Sequence, residues 1–266
     1  MKSVLSLLVL LFLARPDSSL AHMTLESRLD ADNAVRRAFH GRMENVLART
    51  RKRIQDVFGI TPDGKVIIEP SDESFDFKLT SPDPSSSAGS ASNLKINSRV
   101  VLSYSIEDLQ IAAARNLYLM VWPKFRKPFG TDNVLAERMY VEGMTAYAAE
   151  LLWPGNSPWK YAGVYGKEGN GHYRQYLSTE KNLAEDVLRA LSSGIAKDEA
   201  DHLLAPSMAA NLSRLFPGRL LSYRIMKTLE KDMDPKMIQL MDFTEFRQRL
   251  PRALEVIIKG FGKRER

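Results

Sequence analysis

The sequence predicts an α+β fold: a small sheet near the N-terminal side, followed by a predominantly helical body. Three observations predict it. Two short runs rich in β-branched residues, 65–70 and 94–104, lie in the first half of the chain. Beyond residue 106 the chain reads mostly as helices, the first almost wholly apolar and the segments between residues 173 and 259 with apolar positions at three and four, the helical period. Hydrophobic residues make up 44% and charged residues 26%, which is enough apolar material to bury a core and excludes disorder for most of the chain.

The first stretch is set apart from that fold. Lys2 is followed by an apolar run at 4–14, then by a polar segment with Pro16 that ends at Ser19-Leu20-Ala21. This is the order of a secretory signal peptide, with the cut expected just before His22. The apolar run is about half of the roughly 18 residues that a membrane-spanning helix needs, and no later window is apolar enough. The expectation is therefore an exported protein, periplasmic or secreted, with no transmembrane segment after cleavage. There is no cysteine. That excludes disulfides, thiolate nucleophiles and cysteine-ligated metals, and it fits a bacterial periplasm or cell surface, where disulfides are optional.

Residues 22–64 form an N-terminal helical segment in this reading, because apolar residues at 25–58 fall at helical spacing until Gly59. Its other face is basic, with Arg36, Arg37, Arg42, Arg49, Arg51, Lys52 and Arg53. Such a face suits an anionic lipid or wall polymer, and is more plainly a solvated helix surface; no nucleic acid partner is expected. Residues 65–266 form the main domain. In it, 65–70 reads as a strand stopped by Pro70, and 75–79 alternates and is placed beside that strand. The serine-rich stretch 81–92 reads as a mobile loop. The second β-rich run ends at Ser105, which caps a helix over 106–122 whose first turn holds Glu107 and Asp108. That helix is almost wholly apolar up to Pro123 and should be the central buried one. A further helix starts at a Thr131 or Asp132 cap and continues to Trp153, where Pro154-Gly155 ends it. An ordered loop rich in glycine and aromatic residues is expected over 156–172. Helices are then expected over 173–191, 197–204, 207–215, 219–231, 235–240 and 243–259.

The order of strands, buried helix, then a helix bearing Val141-Glu142-Gly143-Met144-Thr145-Ala146-Tyr147 resembles the gluzincin metallopeptidases, in particular the group called predicted zinc-dependent proteases. In that group a strand leads into a helix with HExxH, and a second helix supplies a glutamate from E-G-[LM]-A-x-[YF]. Two histidines on one helix face and a carboxylate from another helix hold zinc with one position open. The resemblance implies that Glu142 stands where the third ligand would be. It also implies that Ala114, Arg115 and Tyr118 stand where the first histidine, the general base and the second histidine would be, and none of the three can do that work. The segment 216–226 looks like the family's late G-Y-x-[IV] helix, so the likeness covers roughly residues 100–226. Tyr147, His172, Tyr223 and Arg224 are the residues it implies as cleft-lining. The family's fold with this altered motif implies a vestigial site, with Arg115 in the space of the metal and paired to Glu142.

Other chemistries lack their signatures. No serine stands in a Gly-x-Ser-x-Gly elbow, and no two of His22, His40, His172 and His202 have ligand spacing on one helix face. Glu185-Asp186, or Glu199 with Asp201, are common on solvated helices. The aromatic residues Trp153, Trp159, Tyr161, Tyr165, Tyr173 and Tyr176 suit either a peptide or glycan groove or packing beneath a loop. The expectation is thus a metallopeptidase-like domain without activity or cofactor, which binds a peptide, protein or cell-wall component. An active hydrolase holding zinc through Glu142 and His172, and a helical envelope scaffold unrelated to zincins, remain the alternatives.

Overall fold

The computed structural model describes residues 24–27, 34–73, 75–80, 93–125, 134–166, 169–193 and 217–260. The expected signal peptide, the loop 81–92 and the helices at 197–204 and 207–215 lie outside these residues. The elements described are β1 (Thr24–Ser27), α1 (Ala34–Phe58), β2 (Lys65–Glu69), β3 (Phe77–Thr80), β4 (Asn93–Asn97), α2 (Ser98–Val101), α3 (Ile106–Phe125), α4 (Val134–Leu152), α5 (Pro158–Tyr161) and α6 (Gly169–Ser193). After them come α7 (Pro217–Leu229), α8 (Pro235–Leu240) and α9 (Phe243–Gly260). The chain is mostly helical with one small sheet, as an α+β fold requires.

The sheet is mixed, in the order β1-β2-β4-β3. β2 is parallel to both β1 and β4, and β3 closes the edge antiparallel to β4, with Phe77 opposite Ile96. Two of these pairings correct the sequence reading. Residues 24–27 form a strand and not the start of a helix, because four residues fit either period and only the pairing with β2 decides. β3 lies against β4 and not β2, since β1 and β4 occupy both edges of β2. The strand read over 94–104 also stops early. Asn97 is fully buried, its side chain accepts from the N–H groups of Ser71 and Arg99, and it donates to the carbonyls of Ser71 and Glu73. It therefore ends β4, caps α2 and fixes the chain leaving β2 in one network.

Ser105 starts α3 as expected: its Oγ accepts from the Asp108 N–H at 3.1 Å, and the Asp108 carboxylate accepts from the Ser105 N–H at 3.4 Å. α3 is the central helix, packed against α1, α4, α5 and strands β3 and β4. Leu109, Ile111, Ala112, Ala113, Ala114, Leu117, Tyr118 and Val121 are all fully buried. The helix continues to Phe125, past the expected stop at Pro123. A proline's fixed φ is helical and it forfeits only one donor, so a final turn can carry it. α4 packs on α3 and α7, and α9 covers α6 and α7. The stretch read as a loop at 156–172 contains α5 and the first turn of α6. Its aromatic residues pack inward: Trp159 lies 5.5 Å from Tyr173, and Tyr161 is buried with its hydroxyl bonded to the Trp153 carbonyl.

Candidate functional site

The residues singled out on α3 and α4 meet. Arg115 points from the buried helix toward α4, and its Nη2 donates to Glu142 Oε2 at 2.8 Å. Its Nη1 donates to the Tyr161 carbonyl at the end of α5. Arg115 is only 5% exposed, and Glu142 is 31% exposed, so the pair joins a buried cation, costly if left unmatched, to a carboxylate that still touches water. The other carboxylate oxygen, Glu142 Oε1, lies 3.2 Å from Nε of Arg219 on α7. One carboxylate is thus held between two guanidinium groups carried by separate helices.

The turn after α5 completes the clamp. Gly163 has φ of +84°, and a Cβ there would stand 3.1 Å from Arg219 Nη1 and 3.4 Å from Arg115 Nε. Only glycine both accepts that backbone and leaves the guanidinium groups room. The same turn is tied to the start of α3, because Lys160 Nζ lies 3.0 Å from Asp108 Oδ1 and the Gly166 N–H donates to Asp108 Oδ2 at 3.4 Å. Burial by itself raises the Glu142 pKa. The charges and hydrogen bonds of Arg219 and Arg115 outweigh it, and hold the carboxyl below its ordinary value of 4.5. Glu142 is therefore an ionised anchor, with no proton to give at neutral pH.

The motif's glycine has its own task. A Cβ at Gly143 would lie 2.9 Å from the Ser222 carbonyl oxygen and 2.9 Å from Met226 Cε, so Gly143 is what lets α7 lie close against α4. Further along the same seam, Tyr147 donates to Glu230 Oε1 at 3.0 Å, and Lys227 reaches Glu150 Oε1 at 3.1 Å while also pairing with Glu230. The rings of Tyr161 and Tyr223 lie 5.7 Å apart beside this group. Burial first, and then the neighbouring carboxylates, push the hydroxyls of Tyr147 and Tyr223 well above the ordinary tyrosine range.

The residues expected to line a cleft fall into separate places. Tyr147 and Tyr223 are buried in the α4–α7 seam. Arg224 turns instead to α6, with Nε 3.6 Å from Oε1 of the buried Glu180, which also accepts from Tyr176 at 2.9 Å. His172 lies half-buried in the first turn of α6. Ala114 is packed in the core, and the Tyr118 ring stands 5.2 Å from Phe58 and 5.8 Å from Trp122, on the side of α1.

A zinc ion at Glu142 would need further neutral or anionic donors, and the side chains facing the carboxylate are two cations. The donor set does not fit the metal. Among the described residues, no three His, Cys, Asp or Glu side chains come together as a metal-binding group. Arg219, Gly163 and the Tyr161 carbonyl are the members of the site that sequence reasoning missed. The signal for Arg219 was present: Arg219, Tyr223, Lys227 and Glu230 follow one another at four, four and three, a polar stripe on an otherwise buried helix. No protein-family model, curated protein or solved structure matches the chain.

Proposed function

We propose that this chain is an exported, catalytically inert domain of gluzincin-like build, in which an arginine clamp replaces the metal, and that it acts by binding a peptide, a protein or a component of the cell envelope. The observation that supports the reading is the Arg115–Glu142 pair at 2.8 Å. The position that aligns with the general base, and the position that aligns with the third ligand, face each other across α3 and α4. A side chain that takes up the carboxylate leaves nothing to activate water, so hydrolysis has no agent here. Export rests on the N-terminal segment, and binding is the role left to a domain whose fold outlives its chemistry.

The test is metal content together with a rebuilt motif. The purified exported protein should carry no stoichiometric zinc and should not cleave peptides; zinc that is lost on Glu142→Ala would overturn the inert reading. The combined change Ala114→His, Arg115→Glu and Tyr118→His restores HExxH in the register of the resemblance. It should bind one zinc, and adding Glu142→Ala should weaken that binding by about 10-fold to 100-fold or more. A folded triple variant that ignores zinc would sink the gluzincin-like assignment and favour the scaffold alternative.

A further inference from the structure

We infer that Asn170 is a site of spontaneous deamidation, which changes the first turn of α6 as the protein ages. The reaction needs an asparagine amide that nothing holds, followed by a residue whose backbone nitrogen can reach it. In the whole chain only Asn170 is followed by glycine. Both residues are exposed, and a Cβ added at Gly171 would stand in open space. The Asn170 side chain makes no hydrogen bond among the described residues. Its counterparts are held: Asn45, Asn116 and Asn156 donate to the carbonyls of Gly41, Ala112 and Trp153, and Asn97 is buried in the network that ends β4. Asn93 and Asn182 precede leucines, whose Cβ crowds the attacking nitrogen.

A helix normally protects an asparagine, because helical backbone turns the next nitrogen away from its amide. Asn170 is the second residue of α6, in the turn whose N–H groups have no intrahelical partner, and the glycines on both sides make that turn easy to open. The opening is local. A Cβ at Gly169 would fall 2.3 Å from Trp159 Cδ1, and the same indole lies 5.5 Å from the Tyr173 ring, so packing holds the chain on either side of the exposed pair. In the opened turn the Gly171 nitrogen attacks Asn170 Cγ. The N–Cγ bond forms, the Cγ–Nδ2 bond breaks, and Nδ2 leaves as ammonia with the proton that the Gly171 nitrogen gives up. Water then opens either carbonyl of the cyclic imide, which yields aspartate or isoaspartate. The aspartate form gains an acid in a first turn that has none, where the helix dipole favours it. The isoaspartate form routes the backbone through one more carbon, which the helical period cannot accommodate.

Timed incubation of the folded protein at mildly alkaline pH, with mass spectrometry of its peptides, tests this. The peptide holding Asn170 should gain the mass difference between a hydroxyl and an amino group before any other asparagine does, and should split into two chromatographic forms. Gly171→Ala adds a Cβ that meets no neighbour, so the variant should fold as before, and it should deamidate about tenfold more slowly or less. Conversion that occurs only after unfolding in urea, an equal rate in Gly171→Ala, or another asparagine reacting first would each overturn the proposal. None of these outcomes depends on the gluzincin-like reading.

Discussion

Replacing Arg115 by Ala should destabilise the protein by about 3–5 kcal/mol, and the structure says where that figure comes from. The buried guanidinium satisfies two groups at once, the Glu142 carboxylate and the Tyr161 carbonyl. Losing it orphans the carbonyl, which costs about 1–3 kcal/mol if no water enters. It also leaves Glu142 with Arg219 alone, a partner 32% exposed whose hold is screened by solvent. Arg219→Ala should therefore cost only about 1 kcal/mol. Glu142→Gln should cost about as much as Arg115→Ala, since it abandons a buried cation beside a second one. If the pair is coupled, Arg115→Ala with Glu142→Gln should cost about 2 kcal/mol less than the two losses summed. Urea unfolding followed by circular dichroism measures all four proteins, and equal m-values show that the change lies in stability. Losses that add within about 0.5 kcal/mol, or an Arg219→Ala loss as large as that of Arg115→Ala, would refute the clamp.

Acid should act through the same carboxylate. Because its folded pKa is depressed below 4.5, its contribution is complete above that value and is lost as the pH falls through the folded pKa; Glu142→Gln should flatten unfolding free energy in that window. Gly163→Ala and Gly166→Ala meet nearly the same positive φ, but only the first also meets the arginines, so Gly163→Ala should lose the more stability in thermal melts; equal losses would mean backbone strain alone. Gly143→Ala should cost about 1–3 kcal/mol by overpacking, although alanine is the better helix former, and a neutral result would show that α7 can retreat freely. N-terminal sequencing of exported protein should begin at His22, and a sequence beginning at Met1 would refute cleavage.

What the sequence disclosed depended on whether one element or two decided the outcome. α3 was readable because its apolar run, its Ser105 cap and its acidic first turn are all local. The Arg115–Glu142 pair was readable only through the family resemblance, which sets the two helices face to face, with helical spacing then choosing Arg115 on its helix. Arg219 and Gly163 were not, since they reach the site from α7 and from the turn after α5, and the docking of both is set by packing across the whole body. β1 fails for a related reason: its four residues carry no period of their own, and pairing with β2 decides for them.

The two arginines and the glycine of the Glu142-Gly143 pair form one device. Arg115 and Arg219 together bring a formal charge of +2 to the carboxylate, the same as a divalent cation would. Unlike an ion, those charges cannot dissociate, because each is tethered to a helix. The tether sets a geometric demand that a metal does not make: α7 must lie close enough for Arg219 to reach Glu142 at 3.2 Å. Gly143 meets it by leaving the Ser222 carbonyl and the Met226 side chain in the space where a Cβ would otherwise stand. Arg115, by contrast, needs no such help, because α3 and α4 already pack side by side in the core. The buried arginine therefore supplies the affinity for the carboxylate. The half-exposed one, drawn in by close helix packing, ties α7 to that same charge, so three helices are held through a single side chain.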